Sequence, residues 1–104
     1  MQTIVNPLSL KEHLSRGKET VVLFVFSTCP FCKAFRPRFE AFAARGAAAR
    51  EHLTVVLDDF GNPLWDAYGI DVVPTVIVFA GDAVKARRDG RAGVGLTEKD
   101  LESL

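Results

Sequence analysis

Six consecutive apolar residues, Val21-Val22-Leu23-Phe24-Val25-Phe26, constrain this chain more than any other stretch. No polar alternation marks a solvent face, so a strand here is covered on both sides. That places it at the centre of a parallel sheet sandwiched by helices. Directly after it come Ser27-Thr28-Cys29-Pro30-Phe31-Cys32-Lys33, and Phe31, Phe35, Phe39 and Phe42 then recur at spacings of four, four and three. This period describes one apolar face of a helix, with Lys33, Arg36, Arg38, Glu40 and Arg45 mostly elsewhere. The only two cysteines of the chain thus sit where a buried strand gives way to a helix.

Other elements follow from the same reasoning. Residues 3–5 read as a short strand, and Asn6-Pro7 as a helix cap with proline in the first turn. Leu10 and Leu14 form the apolar side of that helix, which Gly17 closes. His13, on its flank, is expected to be a satisfied or solvent-facing side chain rather than a metal ligand. Pro37 lies inside the phenylalanine helix and should kink it. The alanine-rich residues 41–50 carry it on, with Gly46 as its break. Residues 53–57 make the next strand, ending at Asp58-Asp59. Asn62-Pro63 repeats the cap-plus-proline start before a short helix that Gly69 ends. Residues 75–79 form another buried strand. Gly81-Asp82 signals a tight hairpin, returning residues 83–88 as an antiparallel edge guarded by Lys85, Arg87 and Arg88. A loop over residues 90–95 follows. Thr97 with Asp100 resembles a capping box for a last helix carrying Leu101 and Leu104. The order is βαβαβαββα, an α/β fold with a central mixed sheet flanked by helices.

Composition narrows the function. The 104 residues suffice for one domain, residues 1–104, with its own core. Lys+Arg and Asp+Glu number 13 each, so no bulk charge points to nucleic acid or to a membrane surface. The longest apolar run is far too short to span a bilayer. The first seven residues lack the basic-then-apolar design of a signal peptide, so a cytoplasmic location is expected. Two cysteines are no disulfide framework, and the fold must rest on its core.

A Cys-x-x-Cys pair opening a helix suits thiol–disulfide exchange. The attacking species is a thiolate, so one sulfur must be stabilised as an anion. Pro30 suits the first helical turn and puts Cys29 at the N-cap, facing unpaired N–H groups and the positive end of the helix dipole. Lys33 adds positive potential. Cys32, one turn deeper, is less exposed and keeps its proton. Cys29 is therefore the expected nucleophile and Cys32 the resolving cysteine. A zinc site would need two further ligands, and His13, His52 and the carboxylates form no second clustered pair.

Taken jointly, three segments resemble the thioredoxin superfamily almost end to end. They are the passage from Phe24 through Cys29-Pro30-Phe31-Cys32 to Lys33, with Pro37 beyond it; Tyr68-Gly69-Ile70-Asp71-Val72-Val73-Pro74-Thr75; and Phe79-Ala80-Gly81-Asp82, followed by Gly90 near the active-site end. The resemblance implies the thioredoxin fold, a cis Pro74 opposite the dithiol, and a substrate peptide held along Val73, Pro74 and Thr75. It also implies a redox-active Cys29–Cys32 disulfide with no bound cofactor and no metal. Protein disulfides would be the substrates, with an unidentified reductase or glutathione as electron donor, and the chain would act as a monomer.

Two departures stand out. Cys-Pro-Phe-Cys looks more like a glutaredoxin dipeptide, although no Gly-Gly pair follows Pro74. Leu23 occupies the position where thioredoxins generally bury an aspartate that serves the resolving thiol, and Val56 or Leu57 stands where a lysine would face it. Asp58, Asp59 or water are the candidate substitutes. The alternatives to a protein disulfide reductase are a glutathione-dependent glutaredoxin-like activity, a non-catalytic binding module, and a dimer bridging an iron–sulfur cluster through Cys29.

Overall fold

A computed structural model of the chain describes residues 2–4, 7–46, 50–91 and 93–104. The elements run β1 (Gln2–Ile4), α1 (Pro7–Leu14), β2 (Glu19–Val25), α2 (Pro30–Gly46), β3 (Glu51–Val56), α3 (Leu64–Ala67), β4 (Thr75–Ala80), β5 (Ala83–Asp89) and α4 (Glu98–Glu102). One five-stranded sheet has the order β1-β3-β2-β4-β5. The expected α/β architecture, a mixed sheet flanked by helices, is the observed one. The helix cap expected at Asn6 and the strand end at Val5 lie outside the described residues, as do residues 47–49 and Ala92.

The apolar run forms the middle strand, and its side chains alternate between two cores. Val22 and Phe24 join Leu10, Leu14, Leu53, Val55, Ile77 and Phe79 in the layer under α1 and α3. Val21, Leu23 and Val25 join Phe35, Phe39, Val76, Val78 and Leu101 under α2 and α4. Every residue of the five from Val21 to Val25 is fully buried, as the absence of alternation requires.

One directional expectation is corrected. β2 pairs in parallel with β3 but antiparallel with β4, so the reversal occurs one strand earlier than the terminal hairpin. The reason is the length of α3. Four helical residues advance only about 6 Å, whereas six strand residues advance about 20 Å. Too short to retrace β3, α3 leaves β4 to enter from the end at which β3 exits. β5 then returns antiparallel as the edge, with a register shift between Val78 and Phe79.

The buried stripe of α2 is also displaced from the phenylalanine period. It runs through Cys32, Phe35, Phe39 and Ala43, again at helical spacing. Phe42 is only partly buried, and Phe31 is 43% exposed at the helix start. The helix stops at Gly46, whose carbonyl accepts the Arg50 N–H at 3.1 Å. His13 is buried and satisfied, its Nδ1 lying 3.0 Å from Glu51 Oε1. The N-cap of α3 is Pro63, one residue later than expected, and Asn62 just before it accepts the Leu64 N–H on Oδ1 at 3.0 Å. At α4 the expected capping box forms: Asp100, in the first turn, reaches back to the N-cap Thr97, its Oδ2 accepting from the N–H and hydroxyl of Thr97. Among the described residues, no helix is long and apolar enough to cross a membrane.

Candidate active site

β2, β3 and α2 converge on Cys29. Parallel pairing sets Val25 beside Val56, and the Leu57 N–H continues the ladder to the Val25 carbonyl at 2.8 Å. Two residues further along, Ser27 meets Asp58. The Ser27 N–H donates to Asp58 Oδ1 at 2.7 Å and its hydroxyl donates to Oδ2. These bonds hold the Asp58 carboxyl below its ordinary range, first through the Ser27 hydroxyl and then through its N–H. The clamp fixes the chain as it leaves the sheet, and the Cys29 N–H closes a turn onto the Phe26 carbonyl at 3.1 Å.

Cys29 lies just before α2, at its N-cap. Its carbonyl accepts the Lys33 N–H at 3.0 Å, and its sulfur accepts the Cys32 N–H at 3.3 Å. An orphan donor of the first turn thus points at Cys29 Sγ, the arrangement expected of a cap. The thiol in turn lies 3.8 Å from the Val73 carbonyl, to which it donates. Cys29 is half-buried, while Cys32 is 1% exposed. Burial, and then its hydrogen bond with Cys29, push the Cys32 thiol up to about 12, partly opposed by the Phe26 backbone and, more weakly, by the charge of Arg36.

The segment opposite joins this centre. The Val73–Pro74 peptide bond is cis, Pro74 is buried, and the Thr75 hydroxyl donates to the Val72 carbonyl. Gly90 packs against this turn so closely that a Cβ there would lie 2.5 Å from the Pro74 carbonyl oxygen. Gly95, at φ +72°, lies under Phe31, and a Cβ would meet Phe31 Cβ at 3.0 Å. Cys29, Cys32, Val73, Pro74 and Thr75 are therefore brought to one end of the sheet.

Other anticipated residues fall elsewhere. Asp58 commits both oxygens to Ser27, and Asp59 accepts the Gly61 N–H at 2.8 Å. Leu23 pairs with Thr54 on β3 and Val76 on β4, rather than with Val56 or Leu57. Val56 faces the Cys32 core two pairs further along, and Leu57 lies in the opposite core. The Ser27–Asp58 clamp, the Arg36 charge beside Cys32 and the Gly95 seat of Phe31 were not anticipated. The clamp has a signal in the parallel register, which sets residue 27 beside residue 58. Among the described residues, no three His, Cys, Asp or Glu side chains gather as a metal-binding group.

The thioredoxin family's sequence profile matches residues 2–101. None of the curated proteins matches the chain. Solved structures similar to it include Fasciola hepatica thioredoxin, at 22% identity and TM-score 0.83, covering 99% of this chain and 94% of that one. Another is the germline-specific thioredoxin Deadhead of Drosophila melanogaster, at 18% identity and TM-score 0.82, with the same coverages of 99% and 94%. A third is reduced Schistosoma mansoni thioredoxin, at 20% identity and TM-score 0.81, covering 98% of this chain and 91% of that one. Likeness at these identities is a likeness of fold.

Proposed function

The chain belongs to the thioredoxin family, and from that premise we propose that it is a thiol–disulfide oxidoreductase acting on protein disulfides through Cys29 and Cys32. One observation carries the reading: an N-cap sulfur accepting a helix N–H stands beside a buried thiol whose proton is held up to about 12. The first group suits attack as a thiolate, and the second suits waiting as a thiol.

In the forward direction, Cys29 Sγ attacks one sulfur of the substrate disulfide. A Cys29–substrate disulfide forms and the first substrate thiolate leaves. Cys32 then gives up its proton and attacks Cys29 Sγ, releasing the second substrate thiolate and closing the Cys29–Cys32 disulfide. Two electrons pass to the substrate, and the departing thiolates take up two protons. Val73, Pro74 and Thr75 supply the backbone edge along which the substrate segment lies. A reductase or glutathione returns the electron pair. The protein works as a monomer in a reducing cytoplasm, with the dithiol as its redox group and no bound cofactor or metal.

Serine substitution separates the roles. Cys29→Ser should abolish exchange, and Cys32→Ser should retain the substrate as a stable Cys29 mixed disulfide, read by non-reducing mass analysis. Alkylation of Cys32 before Cys29 by limiting reagent would reverse the assignment. The equilibrium potential sets the direction of flow: about −270 mV accords with a reductase, and about −200 mV with a glutaredoxin-like or oxidising role. If no internal disulfide forms at any poise, the binding-module reading takes over.

A further inference from the structure

Beside the dithiol, a groove of about 200 Å³ runs between α2 and the segment before α4, lined by Phe31, Phe35, Arg38, Val94, Leu96 and Thr97. We propose that it is a substrate-selecting subsite for an extended polypeptide that carries a bulky apolar residue followed by a carboxylate. The proposal rests on the oxidoreductase reading and names the class of substrate that reading would favour.

Size excludes most alternatives, since small-molecule sites usually enclose about 300–1,000 Å³ and this groove takes one or two side chains. Its entrance is apolar and exposed, with Phe31 at 43% and Val94 at 52%. Gly95 holds Phe31 close, so this wall is built rather than loose. The charge it presents is that of Arg38. Asp100, behind Thr97, is already engaged by the Thr97 N–H, the Thr97 hydroxyl and Arg91.

Arg45 lines the neighbouring cleft with Glu98 and Glu102, whereas Arg38 lines the groove itself, on the α2 face that carries Phe31 and Phe35. Among the described residues, Arg38 forms no ion pair. An acidic segment is therefore the complementary occupant. Reach fixes the spacing. Nine residues separate Cys29 from Arg38, about 14 Å along the helix. An extended chain covers that distance in about four residues. A substrate whose sulfur meets Cys29 therefore presents its apolar residue to Phe31 and Val94 two or three positions away, and its carboxylate to Arg38 about four away.

The test uses homodimeric peptide disulfides bearing Leu at the nearer position and either Glu or Lys at the farther one, built on both sides of the cysteine. Oxidation of the reduced protein by excess peptide is followed in a single turnover, with hydroxyethyl disulfide as a control too small to reach the groove. The Glu peptide should react about five- to tenfold faster than the Lys peptide, and the gap should shrink with salt. Arg38→Glu should invert the preference while leaving the hydroxyethyl disulfide rate unchanged. A preference unaltered by Arg38→Glu overturns the proposal. A second readout does not depend on thiol chemistry: serine-for-cysteine peptides should shift the amide resonances of Phe31, Arg38 and Val94, the Glu form more than the Lys form. Failure of the hydroxyethyl disulfide reaction with these shifts intact would sink the oxidoreductase reading and leave the groove standing. Shifts at those amides that track protein concentration without peptide would assign the groove to a second copy and overturn the proposal.

Discussion

On the middle strand, facing the Cys32 side of the sheet, Leu23 is fully buried in the same apolar cluster as the thiol, with Val76 on one neighbouring strand and Thr54 on the other. A carboxyl at this depth would lose its hydration with no cation paired to it, so its pKa would rise. Leu23→Asp is expected to cost about 3 kcal/mol or more, through lost apolar packing and desolvation. The loss should be larger at pH 8 than at pH 5, because a raised acid pKa removes stability as pH climbs towards it. Urea unfolding at the two pH values measures this. The same variant should hasten the step in which Cys32 displaces a Cys29-bound substrate, since a base then stands beside a thiol held near 12. Gly90 is constrained differently. A methyl there would meet the Pro74 carbonyl oxygen at 2.5 Å, so the backbone must move. Gly90→Ala should destabilise by about 1–3 kcal/mol, as overpacking does, and should weaken substrate capture along Val73, Pro74 and Thr75. A KM unchanged beside an altered melting temperature would show that this edge does not hold the substrate.

Elements depend on contacts that local sequence expresses unevenly. The clamp between the exits of β2 and β3 is a direct case. Asp58→Ala removes both acceptors from Ser27, so the Ser27 and Thr28 amides should exchange hydrogen faster, and attack by Cys29 should slow. Asp58→Asn, keeping one carbonyl acceptor, should restore part of both. The depressed Asp58 carboxyl means the wild-type clamp should hold until pH falls below the ordinary value of 3.8. Sequence showed β2 outright, because five buried residues in a row leave no solvent face. It also showed the N-cap cysteine, since Cys29-Pro30 encodes a local conformation. Sheet direction was less legible: β4 reverses because α3 is four residues long, and helix length is poorly defined by Leu64, Trp65 and Tyr68 alone. Phe31 misled for a related reason. Its spacing matches Phe35, but Cys32, Phe35, Phe39 and Ala43 fit the period equally well and form the buried stripe. Ser27 and Asp58 were individually visible as polar residues, yet their pairing belongs to a parallel register between strands far apart in sequence.

At the scale of the molecule, equal numbers of acidic and basic residues leave no net repulsion at neutral pH, so acid sensitivity rests on a few groups. His52 is the first to matter. It is buried, its ring meets Phe39 and Phe42 edge-on, and among the described residues its Nε2 has no hydrogen-bond partner. Burial, and then the charge of Arg50, hold it below its ordinary value of 6.5, so the fold keeps it neutral. The unfolded chain binds that proton more readily, and stability must therefore rise with pH through this window and fall as pH drops below about 6.5. A second decline belongs to carboxylates lowered in the fold. Glu19 is held down chiefly by Lys85 and further by Arg50. Burial pushes Asp100 up, but Thr97 and Arg91 outweigh it, and Asp58 is held by Ser27. Their contribution is present above the ordinary carboxylate range and is lost as pH falls through it. Unfolding free energy should thus be level above about pH 7, slope downward towards pH 5, and fall again below about pH 4. His52→Phe retains an aromatic ring between Phe39 and Phe42 while removing the titrating nitrogens. It should erase the upper slope and leave the lower one. A wild-type curve level from pH 8 to pH 5 would instead mean that the fold opens readily enough around His52 to admit the proton without losing its packing.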